Sequence, residues 1–323
     1  METASNNLMI YHTEITPNST PDDLDVLEEA KFVFTNLSEL GYNVVQRPFV
    51  FNPKLIQHQV NKYQPQIIFN LVEAIDGTDS LAYLAPELFE QLGISYTGCP
   101  ASAFRKSGSK LETKKLLEKN NLPTAYFLTL QDLEENSKSL SEKRFLVKSD
   151  LDHASKGLEE KLFDNKEELK ANLKSKKGFF AEEYIKGREF NISCMGPLGN
   201  CTVLPVAEMK FRNWPENQLK IVGYEAKWNE ESSKSKDTVR SFDYAKEDKK
   251  LLTDLTEICK ECWNIFDLKG YARIDFRVNE NNQPYVLEIN TNPCISPDAG
   301  FVAATERAGI SNKELIKIIV GFF

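Results

Sequence analysis

Residues 270–290 concentrate groups able to hold a cation. Asp275 interrupts an apolar run, GYARIDFRV (270–278), and Glu288 and Asn290 close the next one, QPYVLEIN (283–290). Alternate residues of a strand face one side, so Glu288 and Asn290 point together. The turn NENNQ between the runs predicts an antiparallel hairpin, which sets Asp275 opposite them. Three oxygen donors, two of them anionic, suit a hard cation. Magnesium fits such a set, because it takes one or two carboxylates and leaves positions for substrate phosphates. The plain alternative is a pair of edge strands with solvated acids. Acids clustered on apolar strands need compensation, which favours the metal. Arg273 shares the face, either as a salt-bridge partner or as a fixed cation beside developing negative charge.

A magnesium site of this kind implies a nucleotide. Neither G-x-x-x-x-G-K-[ST] nor G-x-G-x-x-G occurs, which excludes P-loop and dinucleotide-binding readings. Lys148 instead ends the apolar run RFLV, and a loop with Ala154, Ser155 and Gly157 near its tip follows. Small-residue turns offer backbone N–H groups and a hydroxyl to phosphates, although a lysine at a strand end is usually just solvated. In FFAEEYIKGREFN (179–191), Glu182, Glu183 and Glu189 flank Tyr184–Ile185. This segment reads equally as a holder for adenine and ribose or as an exposed acidic turn.

These groups need a scaffold, and the sequence predicts one. LMIY (8–11), YNVV (42–45) and QIIFNL (66–71) are strand candidates. A helix starts at Thr20-Pro21-Asp22-Asp23, with an N-cap hydroxyl and acids at its positive end. Its stripe is Leu24, Leu27, Lys31, Phe34, Leu37 and Leu40, closed by Gly41. A second helix is expected at 80–93. Alternation of strands and helices predicts a small parallel α/β unit, bounded by Gly-Cys-Pro at 98–100. Beyond it, helices are expected at 101–120, 165–174 and 246–266, strands at 124–129, 144–150 and 178–185, and a mobile polar loop at 229–241.

Composition narrows the function. A net charge of −8, from 40 basic and 48 acidic residues, argues against a general nucleic-acid binder. No run approaches 18 apolar residues and the N-terminus is polar, so no membrane partner and a cytoplasmic location are expected. Six scattered cysteines suit free thiols. Cys259 and Cys262 sit on the apolar stripe of the 246–266 helix and are assigned to the core, not to zinc. His12 and His58 have no ligand partners, whereas His153 lies in the phosphate loop.

Taken together, NLVEAIDGT (70–78), LGISYTG (92–98), FLVKSDLDHASKGL (145–158), EEYIKGREF (182–190), YEAKW (224–228), GYARIDF (270–276) and LEINTNP (287–293) resemble the D-alanine–D-alanine ligase family of the ATP-grasp superfamily. Their order and spacing cover about four-fifths of the chain. The resemblance implies an α/β (α+β) ATP-grasp fold of three domains. These are an N-terminal parallel α/β substrate domain (1–98), a central subdomain (99–180) and a C-terminal subdomain bearing the metal site (181–323), with ATP held between the last two. It implies that Lys110 and Lys148 contact phosphates and that Ser155 sits in the closing loop. Glu182 takes the adenine amino group, Tyr184 and Ile185 line the base and Glu189 holds ribose. Lys227 approaches the terminal phosphate, and Asp275, Glu288 and Asn290 bind two magnesium ions, with manganese as an alternative. Arg273 and the Cys294 N–H stabilise a tetrahedral intermediate, with Ser155 and Lys227 also catalytic.

The implied activity is carboxylate–amine ligation through an acyl phosphate, in peptidoglycan biosynthesis, by a homodimer acting on small amino acids or carboxylates. Glu73, Asp76, Cys294, Ala299 and Gly300 are the candidate substrate residues. Several positions depart from the family pattern. Cys294 replaces a glycine, Trp228 replaces a tyrosine, and Ala299 falls where a serine receives the second substrate's carboxylate. The first strand leads into YHTEITPNSTPDD, which lacks the usual glycine- and serine-containing loop. Two other readings therefore stay open: a ligase for other amino acids or carboxylic acids, and a nucleotide-binding module without catalysis.

Overall fold

The computed structural model describes residues 6–17, 19–140, 142–152, 157–215, 218–229 and 231–322. The chain opens with β1 (Asn7–Thr13), α1 (Pro21–Glu39), β2 (Asn43–Phe49), α2 (Pro53–Tyr63) and β3 (Ile67–Leu71). The strands form a parallel sheet in the order β2-β1-β3, as the alternating pattern predicts. At the start of α1 the Asp23 carboxylate accepts the Thr20 N–H at 2.7 Å.

The buried face of α1 is not the expected one. Leu24, Leu27 and Phe34 are exposed. Leu37 is buried as expected, but Val26, Glu29, Ala30 and Val33 face inward in place of the others, and the apolar ones pack with Leu8, Phe69, Phe301, Leu315 and Ile319. Small side chains let the helix lie close to both the sheet and the C-terminal helices, so fit decided the inward face over hydrophobicity.

Next come α3 (Leu84–Gln91), α4 (Ala101–Ser107) and α5 (Lys110–Lys119). The helix expected at 101–120 is thus two. Gly108 ends the first, and Ser109 caps the second by accepting the Glu112 N–H at 3.1 Å. A small antiparallel sheet, ordered β4-β6-β5, is built from β4 (Phe127–Leu128), β5 (Phe145–Ser149) and β6 (Phe179–Glu183), with α6 (Leu130–Glu135) and α7 (Lys166–Ser175) against it.

The largest sheet comprises β7 (Gly187–Gly196), β8 (Thr202–Val203), β9 (Ala207–Phe211), β10 (Thr238–Ser241), β11 (Gly270–Asn279) and β12 (Pro284–Asn290). Its order is β10-β9-β7-β11-β12, with β8 on β7. Short helices α8 (Tyr224–Trp228) and α9 (Ser233–Lys236) precede β10. The stretch 229–241 is therefore partly ordered: Ser232 caps α9 and β10 pairs with β9. Helix α10 (Lys249–Ile265) buries Leu251, Leu255, Cys259, Cys262 and Trp263 against Phe190, Ile274 and Phe276. Cys259 and Cys262 are core residues, and all six cysteines are free thiols. Helices α11 (Gly300–Arg307) and α12 (Asn312–Gly321) complete the chain. No described helix is long and apolar enough to cross a membrane.

One glycine fixes how β6 turns into β7. Gly187 has φ +148°, and a Cβ there would stand 2.0 Å from the Val278 carbonyl oxygen. Gly187→Ala is expected to destabilise the fold by about 2 to 4 kcal/mol through this clash and the strained backbone. A urea midpoint unchanged from wild type would show that the two strands separate without cost.

Candidate active site

The hairpin places the acids as the sequence predicts. Asp275 pairs with Glu288 and Arg273 with Asn290 across β11 and β12, with a register shift just after Asp275. All four therefore share one face. The Arg273 guanidinium grips Asp275 with both arms, Nε to Oδ1 at 2.8 Å and Nη2 to Oδ2 at 2.9 Å. Burial disfavours the Arg273 charge, but Asp275 and Glu288 more than offset this and raise its pKa. Asn290 Oδ1 accepts the Asn292 N–H at 3.1 Å, which aims the carboxamide.

Two cavities meet at this face. The smaller, about 90 Å³, is lined by Lys110, Lys148, Glu182, Tyr184, Ile185, Glu189, Lys227, Asp275 and Glu288. The larger, about 430 Å³, is lined by Glu73, Asp25, Arg240, Arg273, Asn290, Cys294, Ala299 and Gly300, among others. Glu189, Val222, Lys227, Asp275 and Glu288 line both.

In the smaller cavity Glu182 is almost wholly buried between two lysines. Lys114 Nζ reaches its Oε2 at 2.5 Å, and Lys148 its Oε1. Burial alone would raise the Glu182 pKa. The two ammonium groups reverse that and hold the carboxyl at about 2. Lys110, at the first turn of α5, bonds to the Asp152 carbonyl. Arg277 braces the segment from β6 to β7, donating Nε to the Ile185 carbonyl at 3.0 Å and Nη1 to Glu189 Oε2 at 3.2 Å. The Tyr184–Ile185 connector and Glu189 are thus set by one buried guanidinium. Lys227, on α8, is accessible from the cavity. Desolvation by the surrounding walls lowers its pKa against the pull of Glu288, Asp275 and Glu189.

The larger cavity has an acidic wall from α1. Cys294 Sγ donates to Asp25 Oδ2 at 3.0 Å and lies 2.8 Å from Ser296 Oγ. Burial and the carboxylates of Glu29, Glu73 and Asp25 push the Cys294 thiol well up, so it stays protonated. Glu29 lies fully buried behind the wall and accepts the Ile295 N–H at 2.7 Å. Burial and repulsion from Glu73 raise its pKa well above the carboxylate range.

Most expected site residues converge on these cavities. Asp76 does not: it occupies the exposed turn 75–78 with φ +51°, and Asp79, three residues on, lines the larger cavity in its place. A carboxylate on a left-handed turn position points along the surface. Ser155 and His153 lie outside the described residues. Two residues that sequence reasoning passed over are Lys114 and Arg277. The first was masked by a lysine-rich helix face. The second stood in plain view as a charge within the apolar run DFRV.

The donor set suits magnesium. It offers two carboxylates and one carboxamide, and among the described residues no group of three acids, histidines or cysteines forms a closed metal site. An ion held here would be completed by phosphate oxygens.

Residues 116–321 match the family model described as D-ala D-ala ligase C-terminus. The chain belongs to the D-alanine–D-alanine ligase family. It is therefore an ATP-grasp protein and an ATP-dependent ligase that forms carbon–nitrogen bonds. It is 29% identical over 317 residues to a D-alanine–D-alanine ligase from Petrotoga mobilis, covering 96% of this chain and 97% of that one. The fold is similar to the ATP complex of a D-alanine–D-alanine ligase from Bacillus anthracis, with TM-score 0.72, 18% identity, and 98% and 96% of the two chains covered. It is equally similar to VanG D-Ala:D-Ser ligase from Enterococcus faecalis, with TM-score 0.72, 15% identity and 98% of each chain covered.

The lysine pair on Glu182 predicts an acid-sensitive site. A carboxyl at about 2 in the folded chain, against about 4.5 unfolded, adds stability present above pH 4.5. That stability, on the order of 3 kcal/mol, is lost as pH falls towards 2. Lys114→Met should raise the Glu182 pKa, move the acid-unfolding midpoint to higher pH and destabilise the fold by about 3 kcal/mol at pH 7. Circular dichroism against pH would show it; an unmoved acid limb would mean Lys148 alone suffices.

Proposed function

We propose that the chain joins two amino acids, activating the carboxylate of one with ATP as an acyl phosphate and coupling it to the amine of the other. What carries this reading is the shared wall: Glu288, Asp275 and Lys227 line both the smaller, lysine-walled cleft and the larger cavity. A phosphate entering from one side and a carboxylate from the other would meet there.

The residues divide the work by position. Glu182 and the Tyr184–Ile185 backbone hold adenine, and Glu189, fixed by Arg277, holds ribose. Lys110 and Lys148 face the phosphates, and Lys227 reaches the terminal one. Ser155, seven positions after Lys148 in the sequence, would add a hydroxyl to the phosphate contacts. Asp275, Glu288 and Asn290 would hold two magnesium ions, or manganese, which would supply positive charge against the phosphates. Arg273 neutralises charge that develops when the amine attacks the acyl carbon, assisted by the Cys294 N–H. The amine forms the new C–N bond, phosphate departs with the electron pair of the C–O bond, and the amine proton goes to solvent. No nucleophilic side chain is required, since phosphoryl transfer depends on cations and positioning.

A second reading rests on a specific observation. The wall of the larger cavity carries Cys294, Ala299 and Gly300 backed by the acids of α1, which favours a ligase for amino acids or carboxylic acids other than D-alanine. Cytoplasmic location, homodimer formation and a place in peptidoglycan biosynthesis go with the first reading.

Glu288→Gln is expected to lower amino-acid-dependent phosphate release at least 100-fold, since the metal loses an anionic ligand. Wild-type turnover in this variant would sink the assignment. Screening D- and L-amino acids for phosphate release would then name the substrates. ATP binding with no release for any of them would instead mark a non-catalytic nucleotide-binding module.

A further inference from the structure

The larger cavity holds a second guanidinium that the ligase chemistry above does not use. Arg240 sits on β10, paired with Met209 of β9, and lines the cavity together with Thr238. Two residues apart on one strand, their side chains share a face. Among the described residues Arg240 forms no ion pair. Its guanidinium makes one long hydrogen bond, to the Asp298 carbonyl at 3.5 Å. Arg273, the other guanidinium here, is committed to Asp275 at both arms.

Arg240 lies flat against Gly300. A Cβ built on that glycine would stand 3.3 Å from Nη2 and 3.5 Å from Nε. Any side chain at position 300 would crowd the guanidinium, so glycine is what lets it occupy this place. Gly300 is also the first residue of α11, and its N-cap, Ala299, offers no side-chain acceptor to the first-turn N–H groups. The cavity end formed by Arg240 and these N–H groups is rich in hydrogen-bond donors, with Asp298 beside it. Burial and the nearby Arg273 disfavour the Arg240 charge, and Asp298 offsets them only in part. An anion placed against it relieves that cost.

Resting on the ligase reading, we propose that Arg240 receives the α-carboxylate of the amino acid that supplies the amine, with Gly300 making room for it. A guanidinium binds a carboxylate through two parallel N–H···O bonds, which fixes orientation as well as affinity. The acceptor is therefore a free amino acid. Amines lacking a carboxylate and peptides joined through it are poor substrates. Arg240 determines specificity and positions the amine through the bound carboxylate.

The test compares free amino acids with their primary amides, which keep the amine and lose the charge. Calorimetry on the full chain with ADP and magnesium would screen the common amino acids in both D and L forms. For those that bind, wild type is expected to favour the free acid by about 30-fold or more over its amide. Arg240→Gln should abolish that preference, Arg240→Lys should keep part of it, and Gly300→Ala should weaken it by displacing the guanidinium. The KM for ATP should not move in any of the three.

Undiminished preference in folded Arg240→Gln overturns the assignment, as does binding of no free amino acid by wild type. A raised KM for ATP with unchanged amino-acid binding would assign Arg240 to phosphate and also overturn it. Failure of the ligase reading is seen separately: wild type would bind amino acids yet release no phosphate from ATP.

Discussion

The register of β11 against β12 is the constraint on which the rest depends. Pairing Asp275 with Glu288 and Arg273 with Asn290 puts two carboxylates, a carboxamide and a guanidinium on one face. A slip of β12 by one residue would turn Glu288 and Asn290 to the opposite face, away from Asp275 and Arg273. The register is held from the other side by β7, whose ten-residue ladder sets Arg277 opposite Glu189 and Asp275 opposite Asn191. After Asp275 the register shifts by one residue at Leu287, and regular pairing resumes from Phe276 and Val286. The apolar residues between them, Ile274, Phe276 and Ile289, lie in the core and make any other register costly.

A site of this kind must keep many charges partly dehydrated. On the smaller cavity's side the fold manages this by pairing several of them with a fixed opposite. Glu182 lies between Lys114 and Lys148, Glu189 against Arg277 and Asp275 in the fork of Arg273. Desolvation consumes part of the attraction in such pairs, and breaking one leaves a buried charge uncompensated. Their value is in orientation. A carboxylate held at two oxygens by a guanidinium has little freedom left, so its position towards an entering phosphate is set before binding. Arg277 shows this best: it shares its donors among the Ile185, Gly187 and Lys220 carbonyls and Glu189, tying three segments of the nucleotide cleft to one strand.

The sequence exposed the parts governed by short periods. Strand alternation revealed the metal face, the parallel N-terminal sheet and the core side of α10, because each depends on neighbours two to four positions apart. What it hid depends on distance. Lys114 resembled its solvated neighbours, because only the fold brings Thr124 and Glu182 to it. The stripe on α1 pointed to Leu24, Leu27 and Phe34, yet the helix turns its smaller residues inward to pack close to α12. Helices α2 and α6 were missed since each buries a single residue, Ile56 and Leu133. Asp76 was chosen for its place in a motif, and backbone conformation alone removed it from the cavity.

The same distinction explains the divided character of the active site. The nucleotide side is built within the two antiparallel sheets, and its motifs are contiguous. The larger cavity is closed by segments far apart in the chain: α1, the turn after β12, β10 and the start of α11. Asp25 binds Cys294 across 269 positions, and Arg240 lies on Gly300 across 60. Such contacts leave no local pattern. They do impose a polarity, with carboxylates of α1 at one wall and the Arg240 guanidinium at another. In the proposed reading a zwitterion would lie across such a field, its carboxylate towards the arginine. The larger cavity is thus assembled from contacts between distant residues, whereas the acids it shares with the smaller one rest on a single hairpin.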